Sequence, residues 1–505
     1  MSGSLDRLAA TLPEVYQPIF GHPELSRHVS RTCEDRLQPI TQIYRALEAQ
    51  LNRPLRVLDL GCAQGFFCLS LAKLGATTHG VDFHHGNIAV CRALAAESPE
   101  LQVSFETARV EDALAALEKD QYDLVLGLSV FHHIIHQIGA LAVQRMLAAL
   151  ADKVAAGVFE LALASEPPAW AASQPRNPRQ ILAGFGFVLE LAENATHLSA
   201  IARPLYFASS RYWRLNERMQ AFDHWTSEPH AYANSANFGT RRYFSGGGLF
   251  AKLLMLDFVK TRAANLRDHW NEVAFLSAPP AGFDAPKLLL HGHNDSEAWI
   301  AREELPGELL VDIIQSGKPY DAGAVLRDVV AQLATLEAAG LYHNDVRTWN
   351  VLIGPDGRAA LIDYGAISRD SKDCTWPQNI FLSFLIFTQE TVSGRVEDVS
   401  PIWSPRLNPE ALPEPYRSAL WRLFEMPASE WRFARLRDDL LRGSEAVPVE
   451  PAGVAMALRA LEEACGLYRS ASHEWRNRAI QAEARVQELQ SLVESFALPN
   501  AASAA

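Results

Sequence analysis

Cysteine is scarce: six in 505 residues, Cys33, Cys62, Cys68, Cys91, Cys374 and Cys465. They are scattered, and no two stand in the C-x-x-C spacing of a zinc or redox site. Most lie in apolar surroundings and read as small buried side chains, which suits a reducing compartment. Uninterrupted apolar runs long enough to span a membrane are missing. The N-terminus, MSGSLDRLAATLPEVYQ, lacks the basic start and apolar core of a signal peptide, so a cytoplasmic protein is expected. Positive charge is in deficit: 46 Lys+Arg against 59 Asp+Glu leave −13. A chain with that balance lacks the basic footprint of a general nucleic-acid binder. Disorder is excluded by 48% apolar and 21% charged residues, and the length predicts two to four domains. The dinucleotide fingerprint G-x-G-x-x-G is also missing.

What is present begins with short apolar strands alternating with amphipathic helices. Strands are expected at 56–61, 78–83, 103–108, 122–130 and 157–164, and the segments 186–193 and 205–210 are expected to pair as an antiparallel hairpin. That alternation predicts an α/β fold with a mostly parallel sheet covered on both faces. Such sheets bind ligands at the carboxyl ends of their strands. The loop Asp59-Leu-Gly-Cys-Ala-Gln-Gly65 leaves the first strand and enters a helix, and Gly61 and Gly65 let the backbone turn tightly and approach a ligand. Asp82 ends the second strand, where a carboxylate accepts hydrogen bonds from the ribose hydroxyls of an adenosine group. The spacing G-x-x-x-G suits a cofactor with adenosine but no phosphate.

These residues resemble the Rossmann-like class I S-adenosylmethionine-dependent methyltransferases over about residues 40–210. The resemblance implies S-adenosyl-L-methionine as cofactor, with Gly61, Gly65 and Asp82 around it. It places Val110 or Glu111 near the adenine, and Leu128 and Ser129 beside the methionine part. Segments like PEVYQPIFGHPE, which carries Tyr16 and Gln17, can lid such a pocket. Arg36, on the next helix, has two readings: a partner for the methionine carboxylate, or solvated helix surface. His132 and His133 follow the fourth strand as a general base or as a strand-end cap; a phosphate acceptor is already anionic and needs no base.

A second constellation lies near residue 340, in LYHNDVRTWNVLIGPDGRAALIDYGAI. Asp345 is spaced to orient or deprotonate an attacking hydroxyl, and Asn350 and Asp363 to hold magnesium ions that bridge nucleotide phosphates. The turn signal at 355–357 makes Asn350 and Asp363 flank a hairpin. The pattern matches H-x-D-x-x-x-x-N and D-F-G, with Tyr364 in place of Phe. Upstream, Lys252 on an apolar strand and Glu272 on a helix fit the pair that anchors ATP, and Glu303, Glu304 and Leu305 fit an adenine hinge. Residues 215–445 thus resemble a protein-kinase-like bilobal α+β fold. It departs from that pattern in having no glycine-rich loop before Lys252, where Arg241 or Arg242 either assists or is surface. No A-P-E follows Asp363, which favours a small-molecule or glycan hydroxyl.

From Val454 to Phe496 apolar residues recur every four and three positions, with only Ser472 breaking the stripe, which is the mark of a coiled coil. Arg478 and Glu483 stand where one helix pairs with a neighbour, and the bulky Tyr468 and Trp475 favour a trimer over a tight dimer. The expected division is 1–212 methyltransferase, 213–450 kinase-like, 451–498 coiled coil and 499–505 a disordered end.

Methyltransferase, kinase and coiled coil in that order, with the stretches PEVYQPIFGHPE, VLDLGCAQGFF, LSVFHHI, SAPPAGFDAP and HNDVRTWNVLI, resemble the WbdD-type bifunctional chain terminators of bacterial polymannose O-antigens. The resemblance implies phosphorylation by ATP of the terminal mannose of a lipid-linked glycan, then methylation of that phosphate. It also implies a coiled coil meeting a polymerase mannosyltransferase, and a place on the cytoplasmic face of the inner membrane.

Overall fold

The computed structural model describes residues 2–442 apart from 28, 197–200, 234–236, 238, 375–378 and 397–408, together with 465, 470, 472–483 and 485–486. The chain forms two compact units. One comprises Met1–Pro229, Ser235–Leu266 and Leu288–Glu304; the other comprises His230–Asn234, Arg267–Lys287 and Leu305–Ala505.

In the first unit, helices α1 (Ser2–Ala10) and α2 (Glu34–Leu51) precede a seven-stranded sheet. Its strands are β1 (Arg56–Leu60), β2 (Thr77–Asp82), β3 (Val103–Thr107), β4 (Leu124–Leu128), β5 (Ala156–Glu160), β6 (Phe187–Asn194) and β7 (Arg203–Ser209). The connecting helices are α3 (Phe66–Lys73), α4 (His85–Glu97), α5 (Val110–Ala116), α6 (Phe131–Ile138) and α7 (Ala140–Ala151). The order is β3-β2-β1-β4-β5-β7-β6, with β1 to β5 parallel and β7 antiparallel to both β5 and β6. The expected hairpin forms as β6 and β7. Central strands β4 and β5 are buried at every position, as a sheet covered on both faces requires. The expected strand 122–130 is cut short because Ser129 turns into the left-handed region at φ 54°.

A small pair, β8 (Tyr212–Leu215) and β9 (Arg218–Ala221), leads to a second, antiparallel sheet. Its strands are β10 (His224–Thr226), β11 (Arg241–Gly246), β12 (Leu249–Met255), β13 (Leu288–His293) and β14 (Glu297–Glu303), ordered β10-β11-β12-β14-β13. Both sheets share one hydrophobic cluster, in which Phe187 and Phe207 join Phe244, Leu253 and Trp299. The rings of Phe187 and Phe244 meet edge to face at 5.4 Å. Each fully buried phenylalanine there contributes roughly 1.5–3 kcal/mol, so the Lys252 sheet is stabilised by the same core as the methyltransferase-like sheet.

Helix α8 (Val259–Ser277) carries the chain between the units. The second unit holds β15 (Glu308–Leu309), β17 (Val351–Ile353) and β18 (Ala359–Leu361) as a three-stranded sheet, and β16 (Tyr342–His343) paired with β19 (Ile367–Ser368). Around them stand α9 (Leu310–Ser316), α10 (Ala322–Ala338), α11 (Ile380–Ser393), α12 (Tyr416–Phe424) and α13 (Phe433–Arg442). Helix α10 buries Val325, Leu326, Val329, Val330, Leu333 and Leu336, a stripe at three and four spacing. Asp321 caps its start through the Ala324 N–H, and Gly340, at φ 67°, ends the turn that follows.

Most of the expected coiled coil, and all of 499–505, lies outside the described residues. Within it, 472–483 is helical and exposed, with Trp475 69% accessible. Arg478 pairs with Glu474 of its own helix at 2.6 Å, where the repeat had suggested a neighbouring helix. Among the described residues no helix is long and apolar enough to cross a membrane.

Candidate active sites

The loop after β1 is shaped by positive φ at Gly61 (76°), Ala63 (46°) and Gly65 (77°). A Cβ on Gly61 would come within 2.9 Å of Val130, and one on Gly65 within 2.9 Å of Phe105. Glycine is therefore demanded here by the backbone and by packing within the protein. Asp82, 6% exposed, closes the opposite side. Its Oδ2 accepts the Ala63 N–H at 3.0 Å, and its Oδ1 accepts from His84 N at 2.8 Å and Asn87 Nδ2 at 3.3 Å. A carboxylate has about four acceptor positions, so three donors leave roughly one for a ligand hydroxyl. Burial raises the Asp82 pKa against these stabilising N–H groups and pushes that of Asp59 up to about 7.

The N-terminal segment is fastened to this loop. The N–H groups of Tyr16 and Gln17 donate to Gln64 Oε1 at 3.1 and 2.9 Å, and Phe66 N–H donates to Gln17 Oε1 at 3.1 Å. Val110 is buried at the start of α5, while Glu111 beside it pairs with Arg109 at 2.7 Å. Leu128 is buried at the end of β4.

Arg36 is fully buried, which excludes the solvated-surface reading. Its Nη1 lies 3.4 Å from Glu160, its Nη2 donates to Cys33 Sγ, and its guanidinium lies 5.3 Å from the Phe67 ring centroid. A buried glutamate on β5 draws it inward. The same glutamate takes Arg31 at 3.0 Å through both oxygens and accepts from Ser129 Oγ. Arg203 forks onto Glu166, with Nε 2.9 Å and Nη2 2.7 Å from its oxygens. Arg31, Arg203, Glu160 and Glu166 escaped the sequence reading. One signal was available, a lone glutamate inside the apolar strand GVFELALA. His132, buried in the first turn of α6, has its pKa pushed down to about 2 by burial, by His133 and by Arg203. That of His133 is lowered for similar reasons. Neither imidazole is set up to take a proton.

In the second unit Asp345 and Asn350 meet directly. Asn350 Nδ2 donates to Asp345 Oδ2 at 2.7 Å and to its carbonyl at 2.8 Å, and Trp349 Nε1 lies 3.4 Å from Oδ2. The β17–β18 hairpin forms at the expected turn, and Ile362 N–H closes it onto the Asn350 carbonyl at 2.9 Å. Asp363 follows at φ 59°, a strained conformation for a residue other than glycine. Burial, then the nearby Asp363 charge, raises the Asp345 pKa. Because both amide hydrogens of Asn350 point at Asp345, its Oδ1 remains as an acceptor. With Asp363 it supplies the hard oxygen donors that suit magnesium. Arg347 pairs with the buried Glu390 at 2.6 Å and stacks 4.1 Å from the Trp349 centroid. Trp349 also stacks on His230 at 5.4 Å and on Tyr232 at 5.8 Å.

Lys252 is buried on β12 in the first unit, opposite Ile300 and Tyr243, and Glu272 is buried on α8 in the second. The boundary between units passes between Glu304 and Leu305, within the expected hinge; Glu303 ends β14, and Glu304 N–H donates to Gly248 at 2.9 Å. Neither arginine before Lys252 is surface. Arg241 is buried and donates to Asn265 at 2.9 Å. Arg242 donates to the carbonyls of Phe185 and Gly186 and lies 5.2 Å from the Trp225 centroid. Burial and Arg179 push its pKa down to about 10.

A methyltransferase-domain family model matches residues 57–153. An Escherichia coli protein described as the O-antigen chain terminator bifunctional methyltransferase/kinase WbdD is 42% identical over 443 residues, which is 86% of this chain and 62% of the relative. The chain thus spans somewhat under two thirds of the length of that relative. A solved structure of WbdD with its C-terminal bundle ordered superposes with a TM-score of 0.89 at 39% identity, covering 97% of this chain and 99% of that one. Another, of the bifunctional kinase-methyltransferase WbdD, gives 0.81 at 39% identity, over 91% and 99%. Two arrangements, a Rossmann-like strand-end loop and an Asp–Asn–Asp hairpin, therefore occur together in a chain that belongs to the WbdD family of bifunctional methyltransferase/kinases.

Proposed function

We propose that the chain is a dual enzyme of O-antigen chain termination. It phosphorylates the terminal mannose of a lipid-linked glycan with ATP, then methylates that phosphate with S-adenosylmethionine. The reading rests above all on Asp345 held by Asn350 beside Asp363, within a family whose members are named as chain terminators.

Asp345 orients the sugar hydroxyl and draws off its proton as the oxygen attacks the γ-phosphorus. Asn350 Oδ1 and Asp363 would hold magnesium, which supplies charge neutralisation for the nucleotide phosphates. Lys252, Glu272 and the segment Glu303, Glu304 and Leu305 keep the nucleotide-binding roles their motif implies. In the other site Asp82 faces the ribose, and Gly61 and Gly65 shape the cofactor loop. Tyr16 and Gln17 cover it, Val110 or Glu111 lies by the adenine, and Leu128 and Ser129 by the methionine part. Arg36, buried between Glu160 and Cys33, keeps the place proposed for it at the methionine end. Phosphorylation blocks the hydroxyl that accepts the next sugar, and methylation removes one charge from the cap. Joining both sites in one chain raises the local concentration of the intermediate. The C-terminal repeat, with Trp475, Ile480 and Val486 exposed, serves as a coiled coil for a homo-oligomer, a trimer by its bulky seam. It meets the polymerase mannosyltransferase at the cytoplasmic face of the inner membrane.

The test is incubation with ATP, magnesium, S-adenosylmethionine and synthetic mannose oligomers, read by mass spectrometry. One phosphate followed by one methyl is expected. Phosphate on no mannose oligomer, or methyl transfer to unphosphorylated glycan without ATP, would sink the reading and favour a kinase of another hydroxyl beside an independent methyltransferase.

A further inference from the structure

Arg203 opens β7 and is held from one side. Nε and one Nη2 hydrogen engage Glu166, and one Nη1 hydrogen reaches Ser129 Oγ at 3.3 Å. A guanidinium has five N–H donors, so two of them, one on each Nη, have no partner among the described residues. Arg31, by contrast, is occupied by Glu160, Ser129 and the Ala195 carbonyl. The Arg203 guanidinium lies 5.2 Å from the ring centroid of half-buried Trp170. That ring is 4.4 Å from His132, whose buried Nδ1 has no partner among the described residues, and His133 stands 4.0 Å further on at the solvent edge.

Among the buried side chains of this corner the charges do not cancel. Arg31, Arg36 and Arg203 meet two buried carboxylates, Glu160 and Glu166, while the third carboxylate in reach, Asp35 at 3.7 Å from Arg36, is exposed to solvent. A buried cation in excess is costly unless an anion meets it. An arginine whose free donors lie on its two terminal nitrogens presents the fork that matches two oxygens of a phosphate.

We propose that Arg203, with His132, His133 and Trp170 around it, is the subsite that receives the methyl acceptor and selects a phosphate monoester. The proposal rests on the dual-enzyme reading and adds to it the residue that recognises the kinase product. In the transfer a phosphate oxygen forms a bond to the methyl carbon as the carbon–sulfur bond breaks, and the electron pair stays on sulfur. The dianionic monoester becomes a monoanionic diester, the sulfonium becomes a neutral thioether, and no proton moves. Such a step calls for a fixed positive donor and no base. The depressed pKa values of the two histidines fit that requirement.

Phenyl phosphate is the probe, its binding to the full chain followed by phosphorus NMR. S-adenosylhomocysteine fills the methyltransferase site, and ADP with magnesium fills the kinase site. Two variants are compared with wild type. Arg203→Lys keeps the charge and loses the fork; the double variant Arg203→Gln/Glu166→Gln removes both charges, so no unpaired carboxylate is left buried. Phenyl phosphate affinity is expected to fall at least tenfold in both. S-adenosylhomocysteine affinity should stay within twofold, and methylation should show a raised KM for phosphorylated mannose oligomers. Unchanged phenyl phosphate binding in the double variant overturns the proposal. So does a parallel loss of phenyl phosphate and S-adenosylhomocysteine, which would give Arg203 to the cofactor or to the fold. Wild-type protein that binds phenyl phosphate but does not methylate phosphorylated mannose leaves the subsite standing and removes the glycan from the dual-enzyme reading.

Discussion

The strand-end corner of the first unit and the hairpin loop of the second handle charge in opposite ways. Around β4, β5 and β7 the protein buries arginine in excess of glutamate and presses its histidines toward the neutral form. Around β17 and β18 it sets Asp345 and Asp363 close enough that one raises the pKa of the other, and spends its nearby Arg347 on Glu390 instead. A site short of negative charge is suited to an anionic substrate; a site crowded with carboxylates is suited to a metal and a neutral hydroxyl. The proposed order, phosphorylation before methylation, makes use of that difference, because the second site would take up the charge that the first one adds. The chain's net −13 conceals both arrangements.

The contrast breaks most sharply at Asp345. Asp345→Asn keeps the shape and the Asn350 contact but removes the proton acceptor. ATP-dependent phosphorylation of mannose oligomers is expected to fall by about 10²–10⁴, while a glycan phosphorylated beforehand is still methylated at the wild-type rate. Equal loss of both reactions would mean that the two sites are not separable. Next in size is Arg347→Met. Its partner Glu390 is 1% exposed and keeps a hydrogen bond from Thr348 Oγ1, so removing the arginine takes the cation away from a buried carboxylate, at a cost of up to roughly 3–5 kcal/mol. Thermal unfolding should show this as a large loss of stability, and Arg347→Met/Glu390→Met should recover most of it. If the double variant stays as unstable as the single one, the pair is not what holds this loop.

The architecture was legible wherever side-chain pattern alone decides it. Strands β1 to β7 fall close to their expected places, because alternating apolar runs bounded by glycine and charge leave few alternatives. That Asp345, Asn350 and Asp363 come together was legible because two short spacings had to coincide around one turn. The buried arginine–glutamate corner was not, since Arg31, Glu160, Glu166 and Arg203 come from separate segments brought together only by the sheet. For Arg36 and Arg242 the sequence left a surface reading open for the same reason. Each sits at a position that reads as polar surface, yet each meets buried acceptors, Glu160 for one and the Phe185 and Gly186 carbonyls for the other. Residue type told which groups need partners; tertiary contacts decided who those partners were.

Asp82→Asn sharpens the comparison from the other side. Its carboxylate holds the Ala63 and His84 N–H groups, and about one acceptor position remains for the cofactor. The charge-assisted part of that bond is worth about 1.5–3 kcal/mol. Calorimetry should therefore show S-adenosylmethionine binding weakened on the order of 10- to 100-fold, with ATP-dependent phosphorylation unaffected. Undiminished cofactor affinity would leave Asp82 as a purely structural brace of the loop.

The smallest effect tests the crowding of carboxylates itself. The Asp345 pKa is raised in the folded protein, first by burial and then by Asp363. A carboxyl raised on folding favours the native state while it is protonated, and that advantage is lost as pH rises through the folded value. As pH rises through that value Asp345 therefore weighs against the fold, and part of that weight comes from Asp363. Asp363→Asn removes the like charge, lowers the Asp345 pKa, and should stabilise the metal-free protein at pH 7. A gain of about 1 kcal/mol corresponds to a rise of roughly 2–4 °C in Tm for a unit of this size. The gain should shrink as pH falls and Asp345 takes up its proton, and magnesium should narrow it at pH 7 by stabilising only the chain that keeps Asp363. A variant less stable than wild type at pH 7 without metal would show that strain at the left-handed Asp363, and not repulsion, governs this loop.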